Sequence, residues 1–299
     1  MSNFFKCGFH VIKRTVQGFI NHKATILASA IAYNALFSIF PLLLGAIVLT
    51  SFFVSRQQVE DAIFSLVGPR FPLNQTMIRD VIDGAIAGRG AAGGIAIASL
   101  LWSGSNVFGT IITAVNLSWG VKKGRSFFAS LGMQFGLLLV VGLLLLLSLG
   151  ITAVIRVLAS TPIAIGGFAI FNNPLFNALI SLLPLVINFL TFFVIYKVAP
   201  IPRVPSQAAA LGAVVGAALF EAAKYGLVVY MVNFTNFNAV YGSIAGVIVL
   251  LLWAYFSAVI LLFGAELTRA YEIVVWRQPE AEGREAAEKK EVEKEKKVA

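Results

Sequence analysis

The chain has 299 residues, of which 59% are hydrophobic and only 12% charged, where soluble domains carry about 25% charged residues. Its mean hydropathy of +0.87 excludes a soluble globular domain and predicts a polytopic membrane protein. Cys7 is the single cysteine, which excludes an intrachain disulfide and a cysteine-based zinc site.

The chain opens with a basic, polar lead, 1–24, carrying Lys6, Lys13, Arg14 and Lys23. The apolar run behind it is too long for the h-region of a signal peptide, so it is expected to stay in the membrane. Runs long enough to span, about 20 residues each, fall at Thr25–Val54, Gly94–Val121, Phe127–Leu158, Asn173–Val198, Ser206–Val232 and Val240–Arg269. Hydrocarbon offers no water to backbone groups, so runs of this length close their hydrogen bonds as helices; barrel strands would be shorter and alternating. The expected fold is an all-α bundle of about six transmembrane helices over 25–272, followed by a charged tail, 273–299.

The formal charge of +9 reads as topology rather than as a nucleic-acid surface. Residues Glu280 to Ala299 carry six basic and seven acidic side chains, which leaves +10 on the rest of the chain. Basic residues cluster before span one, between spans two and three (Lys122, Lys123, Arg125), between four and five (Lys197, Arg203) and after six (Arg269, Arg277). The connectors near Ser160–Asn172 and Asn233–Ala239 have none. Both termini are therefore expected in the cytoplasm. The connector 55–93 is assigned outside although it holds Arg56, Arg70, Arg79 and Arg89. Val59, Ile63 and Leu66, then Ile78, Val81, Ile82 and Ala85, have helical spacing on either side of "GPRFP", which predicts two short amphipathic helices on the outer face.

Polar residues inside the spans are the candidates for function. In span one, Asn34 and Ser38 share a face and Pro41 predicts a kink, serving either packing or a polar cavity. Span two, with Ser99, Ser103, Ser105, Asn106, Thr110, Thr113 and Asn116, is polar enough to belong inside the bundle. Gly132/Gly136, Gly212/Gly216 and Gly242/Gly246 have the spacing of tight helix crossings, and Pro184 predicts a second kink. In "LFEAAKYGLVVYMV" of span five, Glu221 and Lys224 fall near the middle of the membrane, with Tyr225 on the same face. A charge there costs roughly 2.5–3.5 kcal/mol on insertion scales. The pair is either a structural ion pair or a site for a polar headgroup, an ion or a proton. Glu221, Lys224, Tyr225, Asn34, Ser38 and Asn106 form the candidate substrate or ion path. Glu266 reads as a solvated or locally paired charge at the boundary, and Asn233, Asn236, Asn238 and Tyr241 as a polar turn. His10 and His22 lie before span one with no carboxylate cluster near them in sequence. There is no metal-ligand spacing, phosphate loop or nucleophile elbow, so neither enzymatic activity nor a cofactor is expected.

At "YNALFSIFPLL", "WSGSNVFGTIITAVNLSWGV" and "NFNAVYGSIAGVIVLLLWAYFSAVILLFGAEL" the chain resembles the YihY/virulence factor BrkB family over roughly Phe9 to Glu272. The Tyr241-Gly242-Ser243 start and the Gly264-Ala265-Glu266-Leu267 end of the last segment carry most of the likeness. The resemblance implies a six-helix protein of the bacterial inner membrane concerned with the envelope. The family has also carried the label ribonuclease BN, for which these residues offer no chemistry. The function expected is a transporter or flippase-like protein for a lipid or amphiphile, with the bilayer as partner and no nucleic acid. The alternative is a non-catalytic scaffold or assembly partner in the envelope, which the connector 55–93 and the tail would suit.

Reporter fusions after Arg125, after Arg203 and at the C-terminus should report cytoplasm, and fusions at Asn74 and Asn236 the outside. A cytoplasmic Asn74 would overturn the six-span arrangement.

Overall fold

The computed structural model describes residues 2–50, 91–121, 123–160, 182–233 and 245–277. Among them there are seven α-helices and no strand: α1 (Ser2–Asn21), α2 (Ala24–Thr50), α3 (Ala91–Ser118), α4 (Phe127–Ser160), α5 (Leu183–Val198), α6 (Ser206–Asn233) and α7 (Ala245–Tyr271). Wider π-helical turns, Glu272–Arg277, continue α7. Three segments are long and apolar enough to cross a membrane, Phe127–Ser148, Ser206–Met231 and Gly246–Trp276. Shorter apolar stretches, Ala24–Ile39 and Leu183–Val198, accompany them. The expected amphipathic connector up to residue 90, the turn after Asn233 and the tail beyond Arg277 lie outside the described residues.

Each helix from α2 to α6 packs on the next, and α7 closes the ring onto α2. α7 also meets α1, α3 and α5, so it is the helix the others share. Helices in lipid gain nothing by hiding apolar surface from one another; they associate through close van der Waals contact and hydrogen bonds, which favours small residues at crossings. α6 supplies such a seam in "AAALGAVVGAA": Ala208, Ala209, Ala213 and Ala217 are buried, interleaved with Gly212 and Gly216. A methyl group on Gly212 would overlap Thr268 Oγ1 and stand 2.7 Å from the backbone oxygen of Gly264. One on Gly264 would overlap the Tyr196 hydroxyl. Tyr196 is fully buried in this crossing and donates its hydroxyl to Leu261 O at 2.9 Å, so three helices interlock at one point.

The Gly212/Gly216 spacing thus marks a real crossing, whose unrecognised partner is Gly264. Gly132 and Gly136 of α4 instead face open space among the described residues. Flat glycine surface permits a close approach but does not supply the second helix. Pro184 sits in the first turn of α5, where its missing N–H has no carbonyl to reach; the residues before 182, on which the expected kink also depends, lie outside the described residues. The lead read from the sequence as basic and polar is itself a helix, α1, packed against α7.

Short connections tie one end of the bundle. α1 and α2 are joined through His22 and Lys23, the latter with φ +52°. α3 ends on Gly120 at φ +66°, where Gly120 N donates to Leu117 O and Val121 N to Asn116 O; glycine is favoured because this conformation crowds any Cβ. Asn116 then clamps the α5–α6 connection, donating to Ala199 O at 3.0 Å and accepting from Ile201 N at 2.8 Å. Arg125 donates to Ala199 O and Pro200 O at 3.0 and 3.1 Å. These bonds satisfy carbonyls that the end of α5 leaves without helical partners.

Gly264→Ala should destabilise the fold by about 1–3 kcal/mol, the usual cost of overpacking, whereas Gly136→Ala should leave it unchanged or raise it slightly. Thermal unfolding of the two variants in detergent tests the contrast.

Candidate functional site

The charged pair of α6 is closed and has a third member. Lys224 Nζ lies 2.7 Å from Glu221 Oε2, and Asn188 of α5 donates its amide to Glu221 Oε1 at 2.6 Å. Helical spacing of three residues puts Glu221 and Lys224 on one face, and the packing of α5 on α6 brings Asn188 to it. Lys224 Nζ also stands 5.9 Å from the centroid of the Phe220 ring, within cation–π range. The pair is only part-covered, with Lys224 37% and Glu221 21% exposed. On a helix of this apolarity the open side faces lipid or an occupant, and an ammonium partly open to hydrocarbon is costly.

Beside the pair the α6–α7 seam changes character. The buried small residues end at Ala217, and Phe220 and Trp253 follow with ring centroids 5.1 Å apart. Beyond them a cleft of about 450 Å³ opens between the two helices, lined by Ala223, Gly226, Leu227 and Tyr230 of α6 and Leu252, Trp253 and Phe256 of α7. None of Asn188, Glu221 and Lys224 lines this cleft; Phe220, in reach of Lys224 and against Trp253, stands between that trio and the cleft.

The other sequence candidates do not join it. Asn34 of α2 donates to Thr110 Oγ1 of α3 at 2.8 Å, linking two helices in the manner expected of a packing contact. Ser38 returns its hydroxyl to Ala35 O in its own helix. Asn106 is exposed, as are Ser99 and Thr113, while Ser105 and Asn116 are buried, so the polar side chains of α3 divide between its inner and outer faces. Ser105, Thr110 and Thr113 satisfy their hydroxyls on carbonyls one turn back, which lets them sit in an apolar setting. Tyr225, expected on the face of Glu221, is 73% exposed on the outside of α6.

A second polar cluster, at the tied end, was not assembled from the sequence. Glu266 of α7, expected as an ordinary boundary charge, is 2% exposed. It accepts from His22 Nδ1 at 2.7 Å, across 244 residues of sequence, and fits against α1 because Gly18 has no side chain there. Arg269 Nη1 is 3.3 Å from His22 Nε2. A guanidinium has donors only, so Nε2 must accept and the ring proton is assigned to Nδ1, facing the carboxylate. Arg14, Gln17, Asn21, Arg269 and Ile273 join them around a cavity of about 300 Å³. Nearby, Glu272 is buried and accepts from Trp119 Nε1 at 3.0 Å. The available sequence signal was an acid inside an apolar run, "LLFGAELTRA"; the histidine partner had none.

A family model described as virulence factor BrkB matches residues 15–291. A UPF0761 membrane protein of Aeromonas salmonicida is 30% identical over 271 residues, covering 87% of this chain and 88% of that one. A UPF0761 membrane protein of Pseudoalteromonas atlantica is 26% identical, covering 86% of each chain. The UPF0761 membrane protein YihY of Salmonella typhimurium is 28% identical over 197 residues, covering 66% of this chain and 65% of its own. No solved structure matches.

His22→Ala should leave the buried Glu266 carboxylate without its imidazole donor, a loss of about 1.5–3 kcal/mol for a hydrogen bond to a charged group. Partial exposure of His22 sets the expectation at the lower end. Adding Glu266→Gln should recover part of the loss, as measured by the thermal midpoint in detergent.

Proposed function

The chain belongs to the virulence factor BrkB family, whose relatives are described as UPF0761 membrane proteins, and from that premise we propose a multi-pass protein of the bacterial inner membrane that binds and moves a lipid or other amphiphile. In this reading the bundle has six spans with both termini in the cytoplasm, and it carries no enzymatic activity and no cofactor.

The observation that carries the reading is the part-open trio of Asn188, Glu221 and Lys224, with Lys224 over the Phe220 ring, which in turn meets Trp253 at the edge of the apolar cleft between α6 and α7. An amphiphile has the same division. Its polar head exchanges hydrogen bonds and charge with the carboxylate, ammonium and amide, and its chain fills a cleft whose volume lies within the ordinary range for small-molecule sites, about 300–1,000 Å³. A head held there is shielded from hydrocarbon near the middle of α6, where an unassisted headgroup is least stable. A pair with no such role would be expected to be fully covered by protein. Here both charges keep an open side.

Glu221→Gln/Lys224→Met removes both charges together and leaves no orphan. It should accumulate normally, fail to complement an envelope-integrity defect and lose crosslinking to a photoactivatable phospholipid analogue. Gly226→Leu, which fills the cleft and spares the charges, should lose the same crosslink. Full complementation by a well-expressed double variant would reduce the pair to architecture and favour the scaffold reading.

A further inference from the structure

α1 divides into three faces. Val11 and Thr15 are buried against the end of α7, near Leu267 and Ala270. Phe9, Ile12, Val16 and Ile20 are 67%, 61%, 45% and 67% exposed. At 3.6 residues per turn these four fall within about 80° of one another, one continuous stripe. Lys13, Arg14, Gln17 and Asn21 occupy the remaining side and are also exposed. Four large apolar side chains in a row are not stable against water, so something covers them.

We infer that the cover is lipid: α1 is a membrane-boundary helix whose Phe9–Ile20 stripe lies in the zone between headgroups and acyl chains, with its polar side turned to water. The first support is level. α1 runs beside α7 from Phe263, in ring contact with Phe19, past Glu266 at Gly18 and His22, to Ala270 at Val11. That part of α7 belongs to the apolar segment Gly246–Trp276. Its 31 residues, at 1.5 Å each, extend about 46 Å against a hydrocarbon core of about 30 Å, so its last turns pass through the headgroup region with α1 alongside. Trp276, 39% exposed at the end of the segment, is the type of residue that settles at that depth.

The second support is continuity. Across the two-residue connection the stripe leads into Ile26, Tyr33 and Phe37 of α2, which are 63%, 59% and 55% exposed on an apolar helix. The third is charge. α1 contains no acidic residue, and Lys13 and Arg14 stand on the polar side with Lys13 next to the stripe. Lysine in this position lays its methylenes over apolar surface and lifts its ammonium to the headgroups. The partner these features fit is an anionic bilayer surface. The inference does not depend on what the α6–α7 cleft binds.

With Cys7 replaced by Ser, single cysteines at Ile12→Cys and Gln17→Cys can carry an environment-sensitive fluorophore in nanodiscs of phosphatidylethanolamine and phosphatidylglycerol. Both positions are exposed, and a monodisperse elution profile verifies the fold of each. The probe at position 12 should be quenched several-fold more by lipid spin-labelled near the headgroup than by aqueous iodide, with the reverse order at position 17. Equal access of iodide to both probes would overturn the inference. So would protection of position 12 from both quenchers together with oxidative crosslinking of Ile12→Cys between two copies, which would make a second copy the cover.

Discussion

The meeting of two backbones at Gly212 and Gly264 is the constraint from which the rest of the arrangement follows. Lipid supplies no hydrophobic drive to hold helices together, so a crossing must be dense enough to outcompete lipid contact. Small side chains on α6 provide that density, and the Tyr196 ring turns a two-helix contact into a three-helix one. With α7 held in this way, its other flanks are available to α1, α2 and α3. The same crossing explains where the α6–α7 cleft begins. Once alanine and glycine give way to Phe220 and Trp253, ring volume replaces backbone contact.

Polar groups in this protein fall into two populations. Asn34, Asn116, Arg125 and Trp119 each bond another element and are used up in doing so. They act as fasteners, concentrated at the end where connections are short. Lys224 and Glu221 bond one another and Asn188, yet keep a side uncovered by protein. Asn116 and Trp119 are buried, whereas Asn34, Arg125, Glu221 and Lys224 are all part-covered, so what sets the pair apart is two charges within an apolar helix, and an inventory of polar residues within the spans mixes both kinds.

Much of the fold was legible from hydropathy, because run length in an apolar chain admits only helices. Glu221 and Lys224 were legible as a pair because helical spacing alone places them on one face. Asn188 was not, since it arrives from another helix. The His22–Glu266 bond was invisible for the same reason on a larger scale, and the charges of the lead masked the helical periodicity of its apolar residues. Glycine spacing marks a crossing in α6, whereas Gly132 and Gly136 of α4 meet no described neighbour. Such a spacing reports the flatness of one surface, and only the complementary Gly264 decides whether a neighbour arrives. Pro184 marks the start of α5, a boundary that hydropathy alone does not show because apolar sequence continues through it.

α4 packs on α3 and α5, and its Gly132, Gly136, Gly142 and Gly150 have, among the described residues, no neighbour where a side chain would stand. Glycine in a helix interior loosens the backbone by about 0.5–1 kcal/mol relative to alanine, and at these four positions no close packing offsets it. Mechanically, the ring has a stiff side at α6 and α7 and a compliant wall at α4. A change in bilayer thickness or lateral pressure would then meet less resistance at that wall than at the interlocked crossing.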